Sequence, residues 1–295
     1  MVSDDTEHAC LTAQALLRSH RELEPFARAL AGELRGWLLG LPAGIGFATL
    51  RALLKSCVGI SPHHSGVPSA GNGPAMRAPV LGAAVENVAD LRSLVRISTR
   101  LTHADPRAEE GAYAIACAAF AGVRNGPVSA PADFLTDLLA PIADNDLRSK
   151  LEAVLAHLQR GATPNEYAEE MGWTTGISGF INHTVPAALY CWLRYPHDFR
   201  AAVESAILLG GDTDTVGAIV GGLAGATLGA DAIPEEWLAG LWEWPRTTTW
   251  MRKLGGQLAC NGGPVPCAWP VIPLRNLIFT TTVLMHGLRR LLPPY

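Results

Sequence analysis

The chain has 295 residues, of which 48% are hydrophobic and 17% charged, with a formal net charge of -4. A chain of this size and apolar content buries a large core, and its charge excludes the broad basic surface that nonspecific binding to nucleic acid or anionic membranes requires. The six cysteines are scattered without a CxxC spacing, and the opening MVSDDTEHAC has neither the basic nor the apolar region of a secretory signal, so the expectation is free thiols in a cytoplasmic protein.

Apolar residues recur three and four apart through most of the chain, as in LTAQALL, LRSLVRI and YAIACAAFAGV, while alternating strand-like runs are nearly absent. The pattern predicts an all-α fold with helices over 6–20, 23–39, 47–57, 76–99, 107–124, 145–160, 182–194, 198–209, 213–228 and 274–292. No linker interrupts them, so 1–295 reads as one domain, with 250–295 a C-terminal helical extension. The longest uncharged apolar run, 216–230, is shorter than the roughly 20 residues a membrane helix needs, and no membrane is expected among the partners. Residues 59–79, GISPHHSGVPSAGNGPAMRAP, have the length and Gly/Pro/Ser content of a functional loop. The terminal Pro-Pro-Tyr also fits a WW-domain ligand, a weak pattern by itself.

Two acidic clusters open helices. In LLGGDTDTVGAIVGGLAGATLG, Asp212 and Asp214 stand with two threonines directly before an apolar helix. Such residues suit a helix N-terminus, where they accept free backbone N–H groups at the positive dipole end. They equally suit Mg2+ or Mn2+, which take hard oxygen ligands. Gly217, Gly221, Gly225 and Gly229 fall on every fourth position of that helix, where each costs about 1 kcal/mol against Ala; close packing of neighbouring helices along this stripe is the expected compensation. SDDT, from Ser3, repeats the acidic pattern at the start of the chain, where the alternative is a solvated terminus. Two such clusters, brought together in a bundle, would make a dinuclear site.

SDDT, then SAGNGPAMRAPVLG about seventy residues later, then THADP, and finally GGDTDTVGAIVGGLAGA resemble the successive motifs of the ADP-ribosylglycohydrolases, over roughly residues 3–232. The resemblance implies a single compact orthogonal multi-helix bundle with two divalent cations, Mg2+ or Mn2+. The implied metal ligands are Ser3, Asp4 and Asp5 from the first motif and Asp212, Asp214 and Thr215 from the last. It implies substrate contacts from Ser69, Gly71, Asn72 and Gly73, where small residues let backbone N–H groups approach the diphosphate. Thr102 and His103 match a Thr-His pair near the pocket. In WTTGISGFINHTV, Gly176, Ser178 and Gly179 would reach the diphosphate and Phe180 would stack on adenine, with His183 a weaker candidate.

The implied reaction is hydrolysis of the C1'' glycosidic bond of ADP-ribose on a protein side chain, arginine first, with Asp5 or Asp212 taking the proton of the attacking water. The alternatives are O-linked (serine, O-acetyl) or nucleic-acid-linked ADP-ribose at the same site, or a weakly active ADP-ribose-binding protein. The expected partners are ADP-ribose and an ADP-ribosylated protein. Members of the family usually carry a helix with a Gly-Asp-Ala-Leu-Gly-like segment before the first acidic motif; this sequence starts two residues before Ser3, so an open pocket wall and reduced activity are expected.

Overall fold

The helical periodicity of the sequence becomes, in a computed structural model describing residues 1–290, fifteen α-helices with no strand among the described residues. The first three are α1 (Asp4–Ser19), α2 (Leu23–Leu39) and α3 (Phe47–Cys57). A 3-10 turn, Ala75–Arg77, leads into α4 (Ala78–Ala84), and α5 (Val88–Arg100) and α6 (Pro106–Asn125) follow. Then come α7 (Pro131–Leu139), α8 (Asn145–Gln159), α9 (Pro164–Glu170), α10 (Ile181–Arg194), α11 (Phe199–Leu208) and α12 (Thr213–Leu228). The last are α13 (Glu235–Gly240), α14 (Thr248–Ala259) and α15 (Ile272–Arg290). Pro-Pro-Tyr at the C-terminus and the end of the helix expected over 274–292 lie outside the described residues.

The helix α6 is the axis of the core, because its run of alanines lets α4, α5, α10 and α12 all pack against it. The closest approach is by α4, where a Cβ on Gly82 would lie 2.0 Å from the carbonyl oxygen of Ala116. The α12 glycines divide differently from the expected stripe. Gly217 and Gly221 meet Ile207 and Val203 of α11 at ordinary van der Waals distance, Gly225 has open space, and Gly229 is the left-handed C-cap. The tight contact comes instead from Gly222, off the stripe, whose Cβ would lie 2.9 Å from Pro79 of α4.

The helix expected over 76–99 is two helices. Val85 turns extended, and Asn87 caps α5 by accepting from the Ala89 N–H at 2.8 Å. Four helices escape the periodicity because they are short or begin at local signals: α7 and α9 start on Pro, α9 has a Thr163/Glu166 capping box, α13 is six residues long, and α14 starts from the Thr247 cap. At the C-terminus, α14 packs on α1 through Leu254, which meets Cys10, Ala13 and Leu17 in a satellite core. The stretch Trp269–Arg289 is long and apolar enough to cross a membrane by length and composition. Its first turns, however, carry the buried, hydrogen-bonded Arg275 and Asn276, while Leu277, Val283, Leu284 and Leu288 are exposed.

Overpacking a dense core costs about 1 to 3 kcal/mol or more, so Gly82→Val is expected to lower unfolding free energy by at least about 2 kcal/mol in a urea titration; an unchanged midpoint would contradict this packing account.

Candidate active site

Loops far apart in sequence are joined at the site by single backbone bridges. Val67 pairs with His103, Gly71 with Phe180, and Ile177 with Gly211. The Asn72 N–H donates to the Gly179 carbonyl at 3.0 Å, Ile181 N–H to Ala70 at 2.9 Å, and Asp212 N–H to Ile177 at 2.7 Å. The last pairing needs glycines on both sides: Gly176 and Gly211 have positive φ, and a Cβ on Gly211 would lie 2.2 Å from the Ile177 oxygen. Gly176 therefore shapes the turn that carries Asp212 and is not among the residues lining the cleft.

This stitching brings the starts of α1 and α12 together. Carboxylate oxygens of Asp4, Asp5 and Asp214 lie within 4.8 Å of one another. Neither helix uses its acidic start as a side-chain cap: Ser3 and Asp212 occupy the N-cap positions without a capping bond. Ser3 Oγ donates instead to Asp5 Oδ2 at 2.7 Å, and Asn72 Nδ2 donates to Asp212 Oδ2 at 2.7 Å. Asp5 is 1% exposed, and its Oδ1 has no hydrogen-bond partner, an expensive condition for a buried acceptor. Burial, and then the charge of Asp5, push the Asp4 carboxyl up to about 7. Burial also raises Asp5 and Asp212, with Asp214 adding to both. Hard oxygens in mutual repulsion, one of them a buried carboxylate atom without a partner, are a donor set that suits a divalent cation, so the residues present fit the implied metal.

A cleft of about 350 Å3 opens beside this cluster. Asp4, Asp212, Asp214 and Thr215 face it from one side, Ser69, Gly71, Asn72 and Gly73 from another, with Gly44, Gly46, Phe47 and Thr49 forming an edge. The backbone N–H of Asn72 is already bonded to Gly179 and its side chain to Asp212 and Thr184; Asn72 therefore orients Asp212, and the amides of this loop left for a diphosphate include those of Ser69, Gly71 and Gly73. His103 packs on those two glycines, where a Cβ on Gly71 would lie 3.0 Å from its Nε2. Burial and the nearby Arg77 charge push the His103 imidazole down to about 3, so it is neutral at physiological pH.

Arg77 itself is fully buried, and burial lowers its guanidinium to about 9. It donates to the Gly73 carbonyl at 3.1 Å, to Ser98 Oγ at 2.9 Å and to Thr102 Oγ1 at 2.9 Å, and Thr102 in turn bonds His103 Nδ1 at 2.9 Å. One side chain thus fixes both the glycine loop and the histidine. Sequence reasoning assigned Arg77 no role, although it is the lone Asp, Glu, Lys or Arg between Lys55 and Glu86. The edge formed by 44–49 was likewise assigned no role, 47–49 being read only as the start of a helix.

Ser178, Gly179 and Phe180 flank the cleft without lining it. Gly179 sits against Asp212, where a Cβ would lie 3.2 Å from Oδ2. Ser178 Oγ bonds His183 Nδ1 at 2.9 Å, and the Phe180 ring is occupied by His183 at 5.2 Å and by the Arg107 guanidinium at 5.5 Å. A larger cavity of about 520 Å3, between α6 and α7, is mainly apolar and has a single carboxylate, Asp137, so the chemistry belongs to the smaller cleft.

Residues 1–263 match the family model described as ADP-ribosylglycohydrolase, and the chain belongs to that family. ADP-ribosylhydrolase ARH3 of Homo sapiens is 33% identical over 202 residues, covering 59% of this chain and 54% of its own length. The chain thus matches about half the length of that relative. The ADP-ribosyl-(dinitrogen reductase) glycohydrolase of Rhodospirillum rubrum is 26% identical over 249 residues, which cover 81% of this chain and 73% of that protein. A solved structure described as an ADP-ribosylglycohydrolase-related protein complex superposes with a TM-score of 0.66 at 29% identity, over 88% of this chain and 80% of that one. The all-α expectation agrees with it.

The raised Asp4 carboxyl has a measurable consequence. Unfolded, it titrates near 4; folded, near 7. Between those values the folded state holds more protons, so Asp4 withdraws stability as pH rises from about 4 to about 7. In EDTA, wild type is expected to lose several degrees more of Tm over this window than Asp4→Asn, with Mn2+ restoring the loss at pH 7; identical pH slopes for the two proteins would refute it.

Proposed function

We propose that this chain is a metal-dependent hydrolase that cleaves the C1'' glycosidic bond of ADP-ribose attached to a protein side chain, releasing ADP-ribose. The observation that carries this reading is the convergence of Asp4, Asp5 and Asp214 within 4.8 Å at the edge of a cleft that Asp212 also lines. When bound, two divalent cations, Mg2+ or Mn2+, would supply Lewis-acid contacts to the ribose hydroxyls and offset the four carboxylates. Asp4, Asp5, Asp214 and Thr215 would hold them, with Ser3 fixing the rotamer of Asp5.

Asp212 is the better candidate for the general base. It faces the cleft, whereas Asp5 lies behind it, and Asn72 holds one of its oxygens while leaving the other to meet a water. A carboxylate with a raised pKa accepts a proton more readily at neutral pH. Gly71 and Gly73 would carry the diphosphate, since neither Lys nor Arg is among the residues lining the cleft.

With neither Lys nor Arg among its lining residues, the cleft sets no side-chain cation against an arginine acceptor. An O-linked acceptor would use the same site, and the complete carboxylate set supports turnover over mere ADP-ribose binding.

Release of ADP-ribose from an arginine-ADP-ribosylated protein is expected with Mg2+ or Mn2+ and none with EDTA. Asp212→Asn is expected to lower kcat about a hundredfold or more while retaining metal, whereas Asp214→Ala loses the metal dependence itself. Full turnover by both variants would overturn the assignment; release only from serine- or O-acetyl-linked substrates would move the acceptor to the O-linked class.

A further inference from the structure

The C-terminal extension reaches the acidic motif directly. Arg275, in the first turn of α15, is 2% exposed and forks onto Glu243, Nε to Oε1 at 3.0 Å and Nη2 to Oε2 at 2.6 Å. The same Nη2 donates to the Val2 carbonyl at 2.7 Å, while the Val2 N–H donates to Glu243 Oε2 at 2.8 Å. Both backbone groups of the residue before Ser3 are therefore gripped by one buried ion pair. One turn beyond Ser3, Glu7 is held by Arg246 at 2.9 Å and by Trp37 Nε1 at 2.7 Å, with Arg275 Nη1 3.5 Å away. Ser3, Asp4 and Asp5 are thus bracketed by a cluster of two acids and two arginines, Glu7, Glu243, Arg246 and Arg275, all buried. The next residue of α15, Asn276, donates to the Gly40 carbonyl at 2.7 Å. Gly40 begins the loop whose Gly44 lies beside Asp4, where a Cβ would sit 3.6 Å from Oδ1. Two successive residues of one helix therefore hold two walls of the same cleft.

We propose that Arg275 and Asn276 are positioning residues for the candidate metal site, so that the C-terminal helix completes the active site. Arg275 sets the register of Ser3–Asp5 against Asp214, and Asn276 sets the cleft-edge loop. The ordinary N-terminal device, a side-chain cap, is missing from α1, since Ser3 bonds Asp5 instead; the backbone clamp on Val2 stands in its place. The inference rests on the metal reading of the site above, and its test separates the two.

The test is Mn2+ affinity by electron paramagnetic resonance, with no substrate present, in wild type, Arg275→Met, Arg275→Lys, Asn276→Ala and Leu254→Ala. Residues that orient metal ligands typically change affinity by about 10- to 100-fold when removed, and Arg275→Met is expected to weaken Mn2+ binding about tenfold at least. Arg275→Lys keeps the charge without the fork and is expected to recover part of the affinity. Asn276→Ala is expected to raise KM for an ADP-ribosylated substrate more than it lowers kcat. Leu254→Ala, which removes packing between α14 and α1 away from the clamp, should lower Tm without altering Mn2+ affinity. Wild-type affinity in the Arg275 variants overturns the proposal, as does equal weakening by Leu254→Ala, which would reduce the effect to stability. If Arg275→Met loses its helical circular dichroism, Arg275→Lys and Asn276→Ala carry the decision. Absence of Mn2+ binding in wild type defeats the metal reading itself, whereas wild-type binding with unaffected variants defeats the clamp alone.

Discussion

Three carboxylates from two helix starts are held within 4.8 Å of one another, and the rest of the site depends on that crowding. Like charges drawn together repel, and buried Asp5 and half-buried Asp4 also lose solvation by leaving water, while Asp214 stays exposed. The positive ends of α1 and α12 offset only part of this, since a helix dipole contributes about 0.3 to 1 kcal/mol to a nearby charge. The chain cannot relax by turning the acids outward, because α1 is packed on α2 and α14 while α12 is wedged among α4, α6, α10 and α11. A divalent cation would resolve the conflict in a way no capping role does, and the unpartnered oxygen of Asp5 is the observation that favours this reading.

The opposite wall follows a different rule. It is built almost wholly from backbone, with single bridges tying 67 to 103, 71 to 180 and 177 to 211. Buried Arg77 ties the glycine loop to Thr102 and hence to His103. A fully buried guanidinium is tolerable because all three of its nitrogens have acceptors. The result is a neutral wall facing an acidic one across a small cleft, an arrangement suited to a sugar whose hydroxyls meet cations and whose phosphates meet amides.

Much of the fold was legible in the sequence. Helices such as α2 and α3 follow from apolar residues on one face and from their bounding turns, and α12 from the charge-free apolar run that begins at Val216 and from the bounding Gly211 and Gly229. What failed were short elements whose boundaries are set by tertiary contact: the extended Val85 that splits the helix expected over 76–99, and the six-residue α13. At the site, the acidic motifs were legible as clusters, but only the geometry shows that Ser3 and Asp212 leave the caps unused, which favours the ligand reading. Asn72, read as a substrate contact, lines the cleft and also bonds Asp212, a partner 140 residues away that leaves no local trace in the sequence. Gly176, read as reaching the diphosphate, has a positive φ that serves a backbone crossing with Gly211, which the local sequence likewise does not reveal. Arg77 had a signal, a solitary charge in an apolar stretch.

The C-terminal segment lies partly beyond the matched 1–263 and was read as an appendage. Its first turn is instead part of the support for the acidic motif, through Arg275 and Val2. The account as a whole stands on the claim that α1 and α12 meet around divalent cations, and anomalous diffraction from crystals grown with Mn2+ tests this most directly. The account predicts two Mn2+ peaks, bounded by the carboxylates of Asp4, Asp5, Asp212 and Asp214. Density free of Mn2+ at that position, with the four carboxylates turned apart, would contradict it.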